Sequence, residues 1–176
     1  ALSLEKNNKV LFLEADIRRP SVLNSFYKFD QEIFGLGEII SSNTNFKDTI
    51  FIVPGTKLEI ITSGAKRFDM SDIVTKEQIK KFFDILKMEY DYVIIDSPPV
   101  QPVSDTLILT QAADHNFFII RSETSKTLAF MSSIKKIQNV GAKIDGIIIN
   151  DLDTSKDSYY NYNYNYNYSS NYYNKT

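Results

Sequence analysis

The stretch Val10-Leu-Phe-Leu-Glu-Ala-Asp-Ile-Arg-Arg-Pro20 joins four apolar residues to a knot of charge. An apolar run without alternation buries both of its faces, which is the pattern of a central strand in a parallel sheet. The same pattern recurs along the chain. Leu58-Glu-Ile-Ile61 closes on Ser63-Gly64, and Tyr92-Val-Ile-Ile95 on Asp96 and two prolines. Asn116-Phe-Phe-Ile-Ile120 closes on Arg121, and Gly146-Ile-Ile-Ile149 on Asn150. Helical patterns lie between these runs. Thr75 and Gln78 make a capping box, after which Ile79, Phe82, Phe83, Leu86 and Tyr90 form one apolar stripe on a helix of 14 or so residues. Asp105 to Ala112 is a shorter helix. Leu128, Met131, Ile134 and Ile137 form a further stripe, with Gly141 where a terminating glycine belongs. Residues 26–57 are harder to read: Gly35 and Gly37 interrupt them, and Glu38-Ile-Ile40 suits one helical turn or two.

Strands alternating with helices predict an α/β fold: a doubly wound, mostly parallel sheet with helices on both faces. In such sheets ligands bind at the carboxyl ends of the strands. Those ends carry Glu14, Asp16 and Arg18, then Asp96, Arg121 and Asn150. A carboxylate at a strand end can hold Mg²⁺, the use that phosphoryl-transfer sites make of it.

Composition narrows the functions available. Across 176 residues, 20 Lys and Arg face 22 Asp and Glu, for a net charge of -2. A nucleic-acid-binding domain needs a basic face, so no nucleic-acid partner is expected. Cysteine is absent, which excludes a disulfide framework, a thiolate zinc site and a cysteine nucleophile. His115 is the single histidine, so a histidine-rich metal site is excluded as well. No apolar run reaches the roughly 18 residues of a membrane span. The last part of the chain is a different material. Residues 1–153 read as the folded domain, and 154–176 as a Tyr/Asn-rich, low-complexity tail with no aliphatic face to set a register.

These features together resemble the bacterial tyrosine kinases of capsular and extracellular polysaccharide synthesis. Residues 10–20 are similar to that family's strand followed by D-x-D-x-R, and Tyr90-Asp-Tyr-Val-Ile-Ile-Asp-Ser-Pro-Pro99 to its Walker B segment. Either motif alone also suits the deviant-Walker ATPases that partition DNA or position division sites; the tyrosine cluster selects the kinases. The resemblance implies ATP and Mg²⁺ as cofactors and a catalytic set of Asp16, Asp96, Glu14 and Arg18. Asp96 matches the Walker B acid that orders Mg²⁺. Asp16 matches the second acid of D-x-D, which binds Mg²⁺ and activates the acceptor hydroxyl. Glu14 stands where the family has its first Asp, with one more methylene of reach. Arg18 matches the motif's arginine and would neutralise phosphate charge. Asn150 and Arg121 are the nucleotide-binding residues this reading implies. The acceptors would be Tyr159, Tyr160, Tyr162, Tyr164, Tyr166, Tyr168, Tyr172 and Tyr173. The implied partners are further copies in a ring, a membrane activator domain or protein, and a tyrosine phosphatase. The implied location is the cytoplasmic side of the cell membrane.

One family element is not in the sequence. A P-loop reads G-x-x-x-x-G-K-[ST], and none of the six glycines here precedes a lysine. The expectation is a domain that has lost its first strand and P-loop, with exposed neighbouring strand edges, weak Mg-ATP binding and no phosphate transfer on its own. Two alternatives stay open: a partition-type ATPase and a non-catalytic adaptor with a Tyr-rich tail.

Overall fold

A computed structural model of the chain describes residues 2–5, 8–22, 33–42, 44–65, 75–101, 104–122 and 127–152. The proposed tail, its eight tyrosines and the 153/154 domain boundary lie outside these residues.

The strands are β1 (Val10–Glu14), β2 (Ile50–Ile52), β3 (Leu58–Ile61), β4 (Tyr92–Asp96), β5 (Phe117–Arg121) and β6 (Gly146–Asn150). The α-helices are α1 (Leu36–Ser42), α2 (Lys76–Glu89), α3 (Asp105–Ala112) and α4 (Thr127–Asn139). Four strands form one sheet in the order β2-β3-β1-β4, with β1 parallel to both neighbours and β2 antiparallel on β3. β5 and β6 pair in parallel as a second sheet.

β1 lies between two strands and is buried on both faces: Leu11 and Leu13 are wholly covered on one, and Val10 and Glu14 are buried on the other. Leu11, Leu13 and Ile61 share a core with Leu36 of α1, Leu109 of α3, and Ile79, Phe83 and Leu86 of α2. Each such side chain contributes about 1.5–3 kcal/mol by leaving water. α2 starts where the capping box directs. Thr75 Oγ1 accepts from the Gln78 N–H at 3.2 Å, and Gln78 Oε1 accepts from the Thr75 N–H at 2.8 Å. α4 ends in a left-handed Gly141 (φ 79°), with the Gly141 and Ala142 N–H groups donating back to Gln138 and Ile137.

The later strands depart from the expectation of full burial. Tyr92 and Ile94 of β4 are 44% and 45% exposed, and Phe117 and Ile119 of β5 are 62% and 64% exposed. Exposure alternates along both strands, so one face of each lacks a covering layer among the described residues, and the sheet is also broken by a lane. α3 packs against both α2 and α4, which sets the two sheets beside each other, yet they remain separate and β4 has no ladder to β5. Phe117, which reads as core in the sequence, faces out. The α4 stripe is also only partly used. Ile137 is buried and Phe130 packs edge-on against Phe118, but Leu128 and Met131 stay exposed because two strands make too narrow a platform. β2 has no clear sequence signal, and Glu38-Ile-Ile40 lies in α1, a helix of seven residues.

Candidate active site

The parallel register sets Glu14 opposite Asp96 at the carboxyl ends of β1 and β4. The Ala15 N–H donates to the Asp96 carbonyl at 2.7 Å, which carries the ladder one residue past the strand. Asp16 follows at once. Its Oδ1 accepts from the Arg19 N–H at 2.9 Å, closing a tight turn whose buried Ile17 roots it in the core. Asp16 and Asp96 are thus carried on rigid backbone beside each other. Partial desolvation first, then the charges of Glu14 and Asp16, hold the Asp96 carboxyl above its ordinary range.

Glu14 behaves differently from its two acidic neighbours. It is fully buried. Its Oε1 accepts from the Ser21 and Val22 N–H groups, both at 2.7 Å, and its Oε2 from the Ser63 N–H at 3.0 Å. Among the described residues no group of three acids or histidines is arranged to hold a metal. A two-carboxylate site still suits Mg²⁺, which keeps several waters and takes its remaining ligands from phosphate. The electrostatic strain on Asp96 is what a divalent cation would relieve.

Arg18 Nε donates to Asp105 Oδ2 at 3.2 Å; Asp105 is buried and Arg18 half-buried. The pair ties the loop after β1 to the start of α3. Thr106 Oγ1 donates to the Pro98 carbonyl at 2.6 Å and ties the loop after β4 to the same helix turn. In sequence Asp105 reads only as a helix-start acid; its pairing with Arg18, 87 positions away, is a product of the fold.

Arg121 and Asn150 face each other across the β5–β6 ladder. Arg121 Nε donates to Asp151 Oδ2 at 2.7 Å. Asn150 Oδ1 accepts from the Asp151 N–H at 2.9 Å, which supports the left-handed Asp151 (φ 59°). The structure therefore assembles two clusters, Glu14, Asp16, Arg18 and Asp96 at the end of one sheet and Arg121 with Asn150 at the end of the other.

This architecture, a mostly parallel sheet with acids at the carboxyl ends of adjacent strands, has the α/β fold of the P-loop NTPase (deviant-Walker) type. The kinase domain of Escherichia coli tyrosine kinase ETK superposes with a TM-score of 0.76 at 23% identity, over 87% of this chain and 60% of that one. The MinD protein of the Aquifex aeolicus MinC:MinD cell division complex superposes with a TM-score of 0.66 at 16% identity, over 81% of this chain and 56% of that one. These likenesses establish the fold. Folds of this type bind nucleotide with Mg²⁺. No family profile matches the chain. Its sequence relatives are more specific: the curated proteins it is similar to are named as bacterial tyrosine-protein kinases. It is 28% identical over 155 residues to tyrosine-protein kinase ptk of Acinetobacter johnsonii, covering 88% of this chain and 21% of that protein. It is 29% identical over 163 residues to tyrosine-protein kinase CpsD of Streptococcus agalactiae, covering 92% of this chain and 71% of that protein. The chain spans about a fifth of the length of the first curated relatives it matches.

Proposed function

We propose that this chain is the nucleotide-binding part of a protein-tyrosine kinase that phosphorylates its own Tyr/Asn-rich segment and regulates polysaccharide synthesis or export. The observation that carries the reading is the pair of carboxylates, Asp16 and Asp96, on adjacent parallel strand ends, with Asp96 held above its usual range by its neighbours. In this reading Asp96 and Asp16 hold Mg²⁺, which supplies charge neutralisation at the transferred phosphate. A tyrosine oxygen attacks the γ-phosphorus of ATP in line, the bond to the β-phosphate oxygen breaks, ADP leaves, and Asp16 takes the hydroxyl proton. Arg18, braced by Asp105, offers its guanidinium charge on the same side. Asn150 and Arg121 contact the nucleotide base side.

The β- and γ-phosphates need a glycine-rich loop with a lysine. A strand ending in such a loop would pair with β4, an edge strand of its sheet, and would deliver the loop beside Asp96. Self-assembly into a ring, a membrane activator, an opposing phosphatase and work at the cytoplasmic membrane face complete the proposal by analogy with the kinase relatives. Among the described residues no helix is long and apolar enough to cross a membrane.

The test is phosphate transfer by the full-length protein carrying Asp16→Asn, Asp96→Asn or both. Two acids acting on one cation should each lose about 100-fold or more in rate, and the double variant should be little worse than the worse single one. Full transfer by either single variant would remove the acid pair from the mechanism.

A further inference from the structure

Glu14 presents a question that the proposed chemistry does not answer. A carboxylate meant to meet a cation or phosphate should turn its oxygens outward. Glu14 does the reverse: it is fully buried, and both oxygens are engaged by backbone N–H groups from two different loops. Ser21 and Val22 lie at the far end of the loop that begins at Ala15. Ser63 lies just past β3.

The connections run further on each side. The Ser63 carbonyl accepts from the Gly37 N–H at 2.9 Å, and the Thr62 carbonyl from the Leu36 N–H at 2.8 Å, so the loop after β3 is docked on the start of α1. On the other side, the loop of residues 15–22 is closed at its beginning by Ala15 on Asp96 and in its middle by Arg19 on Asp16. Glu14 supplies the closure at its end. A charged carboxylate accepting three backbone donors is among the stronger local arrangements available to a protein, since charge-assisted bonds are roughly twice as strong as neutral ones.

We propose that Glu14 is a positioning residue: its carboxylate clamps the loop of residues 15–22 to the loop after β3, and so fixes where Asp16 and Arg18 point. It acts through those residues and does not itself touch metal or phosphate. The proposal rests on the kinase reading for its catalytic consequence, while the clamp itself stands on geometry alone.

Two variants of the full-length protein separate a clamp from a ligand because they rank in opposite orders. Glu14→Gln keeps the length of the side chain. Its single carbonyl oxygen can still accept from Ser21 and Val22, with the amide donor set against the Ser63 N–H. Glu14→Asp keeps the charge but withdraws it by one carbon–carbon bond, about 1.5 Å, out of reach of all three donors together. A clamp therefore predicts that Glu14→Gln is the milder change. Its autophosphorylation kcat should fall by less than that of Glu14→Asp, which loses about tenfold or more in kcat with a smaller change in KM for Mg-ATP. A metal ligand predicts the reverse, with Glu14→Asp active and Glu14→Gln dead.

Hydrogen exchange followed by NMR reads the clamp without any activity. Glu14→Asp should speed exchange of the Ser21, Val22 and Ser63 amides, and Glu14→Gln that of Ser63 above the other two. Should the wild type transfer no phosphate, the kinase reading fails, and the exchange pattern still decides the clamp. Unchanged exchange at all three amides in Glu14→Asp, or activity in the order Asp above Gln, would overturn the proposal.

Discussion

Asp96 carries the sharpest consequence at the scale of single residues. Its carboxyl is held above the ordinary range by desolvation and by the charges of Glu14 and Asp16. The folded protein therefore binds a proton at Asp96 more tightly than the unfolded chain does. Between the ordinary carboxylate range and the raised value, stability falls as pH rises, because the native state must give up a proton it prefers to keep. Asp96→Asn carries no charge at any pH. It should be more stable than wild type in urea melts at neutral pH, and the advantage should vanish below the ordinary carboxylate range. A loss of stability at neutral pH would show that Asp96 is paired rather than strained. Asp16, Asp96 and Arg18 are legible from the sequence because a charged residue directly after an apolar run needs no tertiary information to be placed. The company each keeps is not legible. Asp105, 87 positions from Arg18, and the amides of Ser21, Val22 and Ser63 around Glu14 come together only when loops from separate strands meet.

Elements succeed or fail in the sequence according to how local their causes are. α2 begins at its capping box and α4 ends at Gly141, because caps are contacts between residues a few positions apart. β2 and α1 escape such reading, since β2 exists by pairing with β3, and α1 is docked by hydrogen bonds to Thr62 and Ser63. That docking leaves no room at Gly64. Its φ of 82° disfavours any side chain, and an added Cβ would collide with Glu38 Oε2, the atom that accepts from the Gly35 N–H at 2.8 Å. Gly64→Ala combines left-handed strain with displacement of a buried carboxylate. It should cost about 3 kcal/mol or more in chemical denaturation. A change under about 1 kcal/mol would mean that the turn relaxes freely.

At the scale of the molecule, the decisive feature is the lane between β4 and β5. Parallel, apolar strands read from sequence as buried on both faces, but burial is a property of neighbours, and the neighbour needed here is absent from the two described sheets. Tyr92 and Ile94 lie on the uncovered face of β4, and Phe117 and Ile119 on that of β5. Unpaired apolar edges of this kind promote association between chains. Residues 1–176 expressed alone should therefore self-associate, and amides of β5–β6 should exchange faster than those of β1 and β3. Lysine at Ile94 and Ile119 should reduce the association. A monomeric chain with uniform protection across both sheets would contradict this picture. The whole account meets in one measurement: phosphosite mass spectrometry on the full-length protein, beside its Asp96→Asn variant. The account predicts phosphate on tyrosines between Tyr159 and Tyr173 that is lost in the variant. Tyrosines left unmodified with Mg-ATP and an activating partner supplied, or modified equally in both proteins, would contradict it.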